Sequence, residues 1–409
     1  MGMELEKYAD AMAKCSHCAF CQAGCPVFKE DLLETHMPRA RMDLIRASLL
    51  GGEMALTRRA RSVVDRCLLC GTCSRTCPAQ VPVDDVVIAA RARIYGAGRK
   101  GLVDRLFRRS FMEGRGLSGP ALLVARAARG RGWVASEIPP FADEPLSATI
   151  LPGELPFEGD RRARAAYFTG CATNSGYTDT GRDALFVLAK NGVQVVIPEG
   201  IACCGMPALA EGDVETARAM AEKNVAALKD IEADFLVTDC TTCGLMFAKK
   251  IPALLGPEHP LFADAMKLAG KTREVTDFLA GLGLSATPGP LEETLTYHVP
   301  CHGNWTPTLA DAPRAIFSQI PGVNLVEMDR PDACCGAGGG FFLDERQLAV
   351  DIREKKLANL KETGAGIIAT QCPSCRGFLA DPLPGVRVVH PVSVLARALA
   401  GRIETEPEE

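Results

Sequence analysis

Apolar positions follow two different rhythms along this chain. In the first hundred or so residues they recur at helical spacing: PRARMDLIRASLL (38–50) puts Met42, Ile45 and Leu49 on one helical face. VPVDDVVIAARARIYG (81–96) predicts a second helix that stops at Gly96. No alternating strand pattern accompanies them, so residues 1–97 are expected to form a helical domain. Beyond residue 163 the rhythm changes to short apolar runs separated by amphipathic segments. RAAYFTG (164–170), VQVVIPEG (193–200) and ADFLVTD (233–239) read as strands, with helices over TDTGRDALFVLAKNG and GDVETARAMAEKNVAALKDI between them. The same order returns in TLTYHVP (294–300), VNLVEM (323–328) and AGIIAT (365–370), with helices over DAPRAIFSQIPG and ERQLAVDIREKKLANLKETG. Strands joined by amphipathic helices predict parallel βαβ units. The expected class is α+α/β, with two tandem α/β domains over 164–286 and 294–400 behind the helical one.

Residues 98–163 are the least regular. Leu102, Val103, Leu106, Phe107 and Phe111 form an apolar stripe beside Arg105, Arg108 and Arg109, followed by Gly- and Pro-rich text that reads as a basic connector. Residues 1–135 hold 22 Lys+Arg against 13 Asp+Glu, although the whole chain of 409 residues has a net charge of −4. A basic amphipathic helix suits an anionic membrane surface or a partner, while a solvated helix face packed on its own domain is the simpler reading. The overall balance and an aromatic content of 6% carry no nucleic-acid footprint. No apolar run reaches the roughly 18 residues of a membrane span. The opening MGMELEKYADAMAK has no apolar h-region, so a cytoplasmic location is expected, peripheral to the inner face of the membrane where partners bring it there.

Cysteine changes the picture most. Eighteen cysteines in a chain without a secretory signal point to metal or redox chemistry rather than a disulfide scaffold. Cys15, Cys18, Cys21 and Cys25 stand in CSHCAFCQAGCP, and Cys67, Cys70, Cys73 and Cys77 in CLLCGTCSRTCP. Both are C-x2-C-x2-C-x3-C-P runs, in which three thiolates wrap one cubane and the fourth ligates the other. Cys15, Cys18, Cys21 and Cys77 are then expected to hold one [4Fe–4S] cluster, and Cys67, Cys70, Cys73 and Cys25 a second. Two copies of one run, each closed by proline, argue against a pair of zinc sites.

The remaining ten cysteines form two sets of five: Cys171, Cys203, Cys204, Cys240 and Cys243, then Cys301, Cys334, Cys335, Cys372 and Cys375. Equivalent members lie 130 to 132 residues apart, the mark of a tandem duplication. Five thiolates exceed what one tetrahedral zinc or a simple cubane uses, which points to an unusual cluster with a bridging thiolate. Cys171, Cys240, Cys301 and Cys372 all close predicted strands, where open α/β sheets bind ligands. Gly205 and Gly336, after the paired cysteines, are expected to permit close backbone approach or positive φ around a cluster. The run Gly336, Gly338, Gly339, Gly340 lacks the G-x-G-x-x-G order, so no NAD or FAD site is expected in this chain. His302, beside Cys301, is a candidate proton donor; the alternative is a histidine that only hydrogen-bonds its surroundings. His17 reads as a residue supporting the first run rather than a ligand.

These motifs resemble a known group. The two five-cysteine repeats look like CCG domains of heterodisulfide reductase. A ferredoxin-type domain followed by two CCG domains is the arrangement of the iron–sulfur subunits of glycolate oxidase, D-lactate dehydrogenase and anaerobic glycerol-3-phosphate dehydrogenase. The resemblance implies a noncubane [4Fe–4S] cluster on each five-cysteine set, besides the two cubanes. It also implies an oxidoreductase subunit that passes electrons between a separate flavoprotein subunit, acting on a donor such as glycolate or D-lactate, and an acceptor that includes a membrane quinone partner. All ten CCG cysteines are present, which many oxidase-type relatives lack. Their completeness keeps a second expectation open, a catalytic subunit that cleaves a disulfide or reduces a quinone at the noncubane centres.

Overall fold

The computed structural model describes residues 3–96 and 141–401. The apolar stripe over 102–111 and its arginines, and the membrane or partner role expected of them, lie outside the described residues.

Residues 3–96 fold as short helices. Met42 and Ile45 are buried in the helix Pro38–Ile45, which runs on into a wider turn over Arg46–Leu50. Thr57 caps the helix Arg58–Asp65 by accepting the Ala60 N–H, satisfying one of the donors a helix start leaves free. Asp84 and Asp85 occupy the first turn of the helix Val83–Tyr95, where carboxylates suit the positive end of the helix dipole.

Two parallel sheets follow. The first contains β1 (Gly153–Glu154), β2 (Ala163–Phe168), β3 (Val193–Ile197), β4 (Phe235–Thr238) and β5 (Thr272–Glu274) in the order β1-β3-β2-β4-β5. Only β1 runs antiparallel. The second has β6 (Glu293–Tyr297), β7 (Val323–Leu325), β8 (Ile367–Ala369) and β9 (Arg387–Val389) in the order β7-β6-β8-β9, all parallel. Residues 141–163, expected as connector, partly belong to the first α/β unit: β1 pairs with β3, and Leu146 is buried.

The alternation of side chains along the strands sorts the interior into three cores. Ala165, Tyr167 and Val237 face Leu295, Tyr297, Ile367 and Ala369 of the other unit across a central core filled by helices Thr178–Lys190, Val275–Leu282 and Pro391–Ala400. The opposite face of the first sheet, through Ala166, Phe168 and Leu236, joins the helical region around Ile45, Val64 and Val86. The opposite face of the second sheet, through Ile368 and Val388, joins Cys25, Val27 and Leu68. The helical region therefore packs against both α/β units, and cysteines sit in both of the cores it shares.

Polar clamps fix these interfaces. Arg91, almost wholly buried, donates to the carbonyls of Val64, Asp65 and Cys67 on its own side and Ala210 on the other. Lys250 of the first α/β unit reaches Asp84 and Asp85 at 2.6 and 2.5 Å. Between the two sheets, the Gln371 amide donates to Glu274 at 2.7 Å, and within the second unit the Tyr297 hydroxyl donates to Gln371 at 2.5 Å. Tyr167 donates to Asp239 at 2.9 Å in the equivalent place of the first unit.

Candidate metal centres

The two ferredoxin-type loops share one backbone solution. His17 and Ala19 in the first, and Leu69 and Gly71 in the second, all have φ between 54° and 68°. These residues flank the second cysteine of each run, at the same two positions. A left-handed conformation at a residue other than glycine costs about 1–2 kcal/mol and persists only where its surroundings impose it. Here it curls each loop so that its thiols converge on one point. Cys15, Cys18 and Cys21 line a concavity with Cys77, and Cys67, Cys70 and Cys73 line another with Cys25. Each run thus sends its fourth cysteine to the other's concavity. None of the 18 cysteines is paired in a disulfide. Cys73 also lines the first concavity. The donor set, thiols converging on each concavity with Asp84 the only carboxylate among the described residues lining either, fits a soft iron–sulfur cluster. Burial pushes the Cys25 thiol up against the opposing pull of the Arg41 guanidinium, and pushes Cys70 to about 12, helped by the nearby Cys334. His17 lines the rim of the first concavity, and its exposed Nε2 lies 3.2 Å from Asp43.

The five-cysteine sets are assembled at the carboxyl ends of parallel strands. Cys171 follows β2, Cys203 and Cys204 follow β3, and Cys240 ends the β4 segment as the residue that opens the helix carrying Cys243. Cys301, Cys334–Cys335, Cys372 and Cys375 repeat this after β6, β7 and β8. The thiols form one chain of contacts in each set. It runs Cys171–Cys203–Cys204–Cys243–Cys240 in the first, with Cys171 and Cys203 sulfurs 3.4 Å apart. It runs Cys301–Cys334–Cys335–Cys375–Cys372 in the second, with Cys335 and Cys375 at 3.2 Å. Five convergent thiols in one connectivity, used twice and buried except for the partly exposed Cys171, Cys301 and Cys334, fit a thiolate-rich iron–sulfur group better than a four-ligand zinc site.

Gly205 and Gly336 both have φ of +93°. A Cβ on Gly336 would stand 2.4 Å from the Ala349 carbonyl oxygen, and one on Gly205 3.2 Å from that of Ala217. The helix packed behind the paired cysteines demands glycine at both positions, while the Gly336 N–H faces the Cys334 sulfur at 3.4 Å.

His302 is tied on both ring nitrogens. Nε2 donates to the Leu69 carbonyl at 3.0 Å, and Nδ1 accepts from the Thr242 hydroxyl at 3.0 Å. Burial holds the ring below its ordinary pKa. The imidazole braces a ferredoxin-type loop, the first α/β unit and the second against one another. Arg75 crosses the same seam, from the Cys70 carbonyl at 3.3 Å to that of Cys301 at 3.5 Å. Cys25, Cys70, Cys334, Cys335, Cys372 and Cys375 share one apolar core, so the second concavity abuts the second five-cysteine set. Cys73 and the first five-cysteine set share another with Cys15, Cys21, Cys67 and Cys77 at its edge.

Three features are not evident from the motifs alone. His298 is 1% exposed, and its ring nitrogens lack hydrogen-bond partners of normal geometry. A ring nitrogen and the Cys335 and Cys375 sulfurs all lie within 4.8 Å of one another. Burial and the nearby Lys356 charge hold that ring well below its ordinary pKa. Lys356 is itself buried, pushed down to about 8, and donates to the carbonyls of Arg330 and Pro331. A signal for His298 exists in the sequence, since it occupies the repeat position of Phe168. The third feature is a cavity of about 310 Å³ against Cys171 and Cys203, bounded by Leu146, Asn174, Ile201 and Lys223.

Comparison with known proteins adds the family. Residues 165–248 and 295–380 match the cysteine-rich CCG domain, and residues 11–81 match the 4Fe-4S dicluster domain. The chain is 26% identical to the probable glycolate oxidase iron-sulfur subunit of Bacillus subtilis over 95% of its own length and 94% of the relative's. It is 27% identical to a polypeptide of the dihydromethanophenazine:CoB–CoM heterodisulfide reductase of Methanosarcina barkeri, over 90% and 88% respectively. A solved structure of a hypothetical protein from Helicobacter pylori shares the fold with a TM-score of 0.53 at 8% identity, covering 97% of this chain and 76% of that one.

Proposed function

This chain is a CCG-domain iron–sulfur oxidoreductase subunit, and on that premise we propose that it is the electron-transfer member of a multisubunit enzyme. It links a separate flavoprotein subunit, which oxidises a 2-hydroxy acid of the glycolate or D-lactate kind or another organic donor, to an acceptor that includes a membrane quinone. Relatives named as subunits of such enzymes support the class. The observation that carries the relay is the seam where the partly buried Cys70 and Cys334 pack against the edge of one apolar core. Bound clusters supply one-electron transfer there: two cubanes, held by Cys15, Cys18, Cys21 and Cys77 and by Cys67, Cys70, Cys73 and Cys25, and a noncubane on each five-cysteine set.

The residues of the chain do the rest. Apolar packing around the thiols excludes water and lowers the local dielectric, which strengthens every charge interaction inside. Arg41 places a fixed positive charge beside Cys25, compensating thiolate charge. His302 and Arg75 hold the second concavity and the second five-cysteine set in register. Both His302 nitrogens are engaged, so it acts as a brace and not as a proton source. Among the described residues no helix is long and apolar enough to cross a membrane.

A second reading has its own support. The 310 Å³ cavity is of ligand-pocket size and ends on Cys171 and Cys203, so a disulfide substrate has a place to meet the first CCG centre. Cleaving it consumes two electrons and two protons and yields two thiols. One experiment separates the readings: isolate the chain with its native partners under anaerobic conditions. The relay reading expects a flavoprotein in the complex and donor-dependent reduction of the chain's chromophores; absence of both refutes it. The catalytic reading expects a thiol substrate to alter the EPR spectrum of the first CCG centre, and an unchanged spectrum with every candidate thiol refutes that.

A further inference from the structure

The two CCG units repeat each other closely enough to serve as mutual controls. Their thiols share one connectivity, and their strands, glycines and buried tyrosines correspond in register along the sequence: Tyr167 with Tyr297, Gly205 with Gly336, Asp239 with Gln371. Against that background one substitution stands out. The residue three positions before the leading cysteine is Phe168 in the first unit and His298 in the second. Phe168 is an apolar plug, fully buried and packed edge-on against Phe247 at 4.7 Å between ring centroids. His298 is equally buried yet carries two polar nitrogens into the same place.

A buried imidazole without partners is costly, on the order of 1–3 kcal/mol for each unsatisfied group. Neither ring nitrogen has a normal hydrogen bond, although the Pro331 carbonyl lies on one side of the ring. A ring nitrogen and the sulfurs of Cys335 and Cys375 lie within 4.8 Å of one another. Donors on a tetrahedral first-row metal stand about 3.5–3.8 Å apart, given bonds of about 2.0 Å to nitrogen and 2.3 Å to sulfur. The Cys335–Cys375 separation of 3.2 Å is already close to that spacing. The set needs only a small adjustment to share one metal; the nearby Pro331 carbonyl already accepts from the Val299 N–H and the Lys356 ammonium at 3.0 Å each.

We infer that His298 supplies a nitrogen ligand to an iron of the second CCG centre, sharing it with Cys335 and Cys375. The inference rests on the reading that the second five-cysteine set holds an iron–sulfur cluster. Its consequence is that the two CCG centres are electronically unequal: the first is ligated by sulfur alone, the second by sulfur and imidazole. The imidazole is a neutral ligand added to the same five thiolates that the first unit has.

Pulsed EPR of the full chain, loaded with iron and sulfide anaerobically and carrying 15N-histidine, tests this directly. The expected result is one centre with a nitrogen coupling of the size of a directly bonded imidazole. That coupling survives His302→Phe and disappears in His298→Phe, which copies the residue of the first unit. Should His298→Phe lose the second centre altogether, His298→Cys offers a replacement ligand: iron content returns, the nitrogen coupling stays absent and the potential falls. No directly bonded nitrogen in the native chain, or one that persists in His298→Phe, overturns the inference while leaving the iron count intact. A native chain that takes up no iron on the second set overturns it together with the reading it rests on.

Discussion

Replacing Lys250 with methionine tests how the helical region is fastened to the first CCG unit. Lys250 is 8% exposed at its side chain and contacts Asp84 and Asp85, which are 15% and 20% exposed. Burial opposes the charged form of all three, but the Lys250 charge and hydrogen bonds outweigh it at Asp84, whose carboxyl sits below its ordinary pKa. Burial and the Asp84 charge keep Asp85 above its own, against the pull of the same lysine. Removing the cation leaves two buried carboxylates facing each other, and breaking a buried pair in this way costs about 3–5 kcal/mol. The loss falls on the interface, so local opening of the Val83–Tyr95 helix is the observable. Amide hydrogen exchange there should accelerate roughly 10²- to 4 × 10³-fold, since about 1.4 kcal/mol is a factor of ten. The defect should shrink as pH falls. With the lysine gone, protonation of either carboxyl favours the docked state, so stability is retained at low pH and lost as pH rises. Adding Asp84→Asn and Asp85→Asn to Lys250→Met removes the uncompensated charge and should restore most of the protection. An acceleration below tenfold, or a triple variant as open as the single one, refutes the reasoning.

Three further outcomes follow from the structure. Cys77→Ser should alter the spectrum of the centre carried by Cys15, Cys18 and Cys21, and Cys25→Ser that of the other; EPR of the singly substituted chains would contradict the exchange if each change appeared in its own run's centre. His302→Phe removes the bonds to Leu69 and Thr242 and should loosen the seam by about 1–3 kcal/mol, read as faster exchange in the 69–73 loop, while the pH profile of donor-driven electron transfer stays where it was. Asp183, pushed up to about 6 by burial and then by Asp179, against the nearby Ser393 hydroxyl, keeps its proton in the folded chain at pH values where the unfolded chain has lost it. Stability should therefore fall by at most about 2–3 kcal/mol as pH rises from 4 to 7, and thermal melts of Asp183→Asn should lack that slope.

Much of this architecture is legible in the sequence, because its signals are local or periodic. Six strands announce themselves as apolar runs feeding cysteines. The three that do not, β1, β5 and β9, are edge strands of two or three residues reading GE, TRE and RVV, too short and polar for any period to show. The thiol sets are legible from spacing and repetition. The roles of single polar residues are not, because they depend on what lies across an interface. Lys356 looks like any lysine on an amphipathic helix beside Lys355; one is buried near the second thiol set and the other is 64% exposed. His302 looks reactive from its neighbour Cys301, whereas partners 60 and 233 residues away occupy its ring. Gly336 looks like a cluster contact, whereas the helix behind it sets the demand. His298 lies within reach of the sequence only through its twin Phe168, when the two repeats are compared beyond their cysteines.

The central claim is that four thiol sets in one body hold four clusters. Iron and acid-labile sulfide, counted on the anaerobically reconstituted full chain, test it most directly. Four clusters of four irons give about sixteen iron per chain, with no stoichiometric zinc. A count of about eight, with the two ferredoxin-type signals intact, would contradict the account by showing that the five-cysteine sets carry no metal.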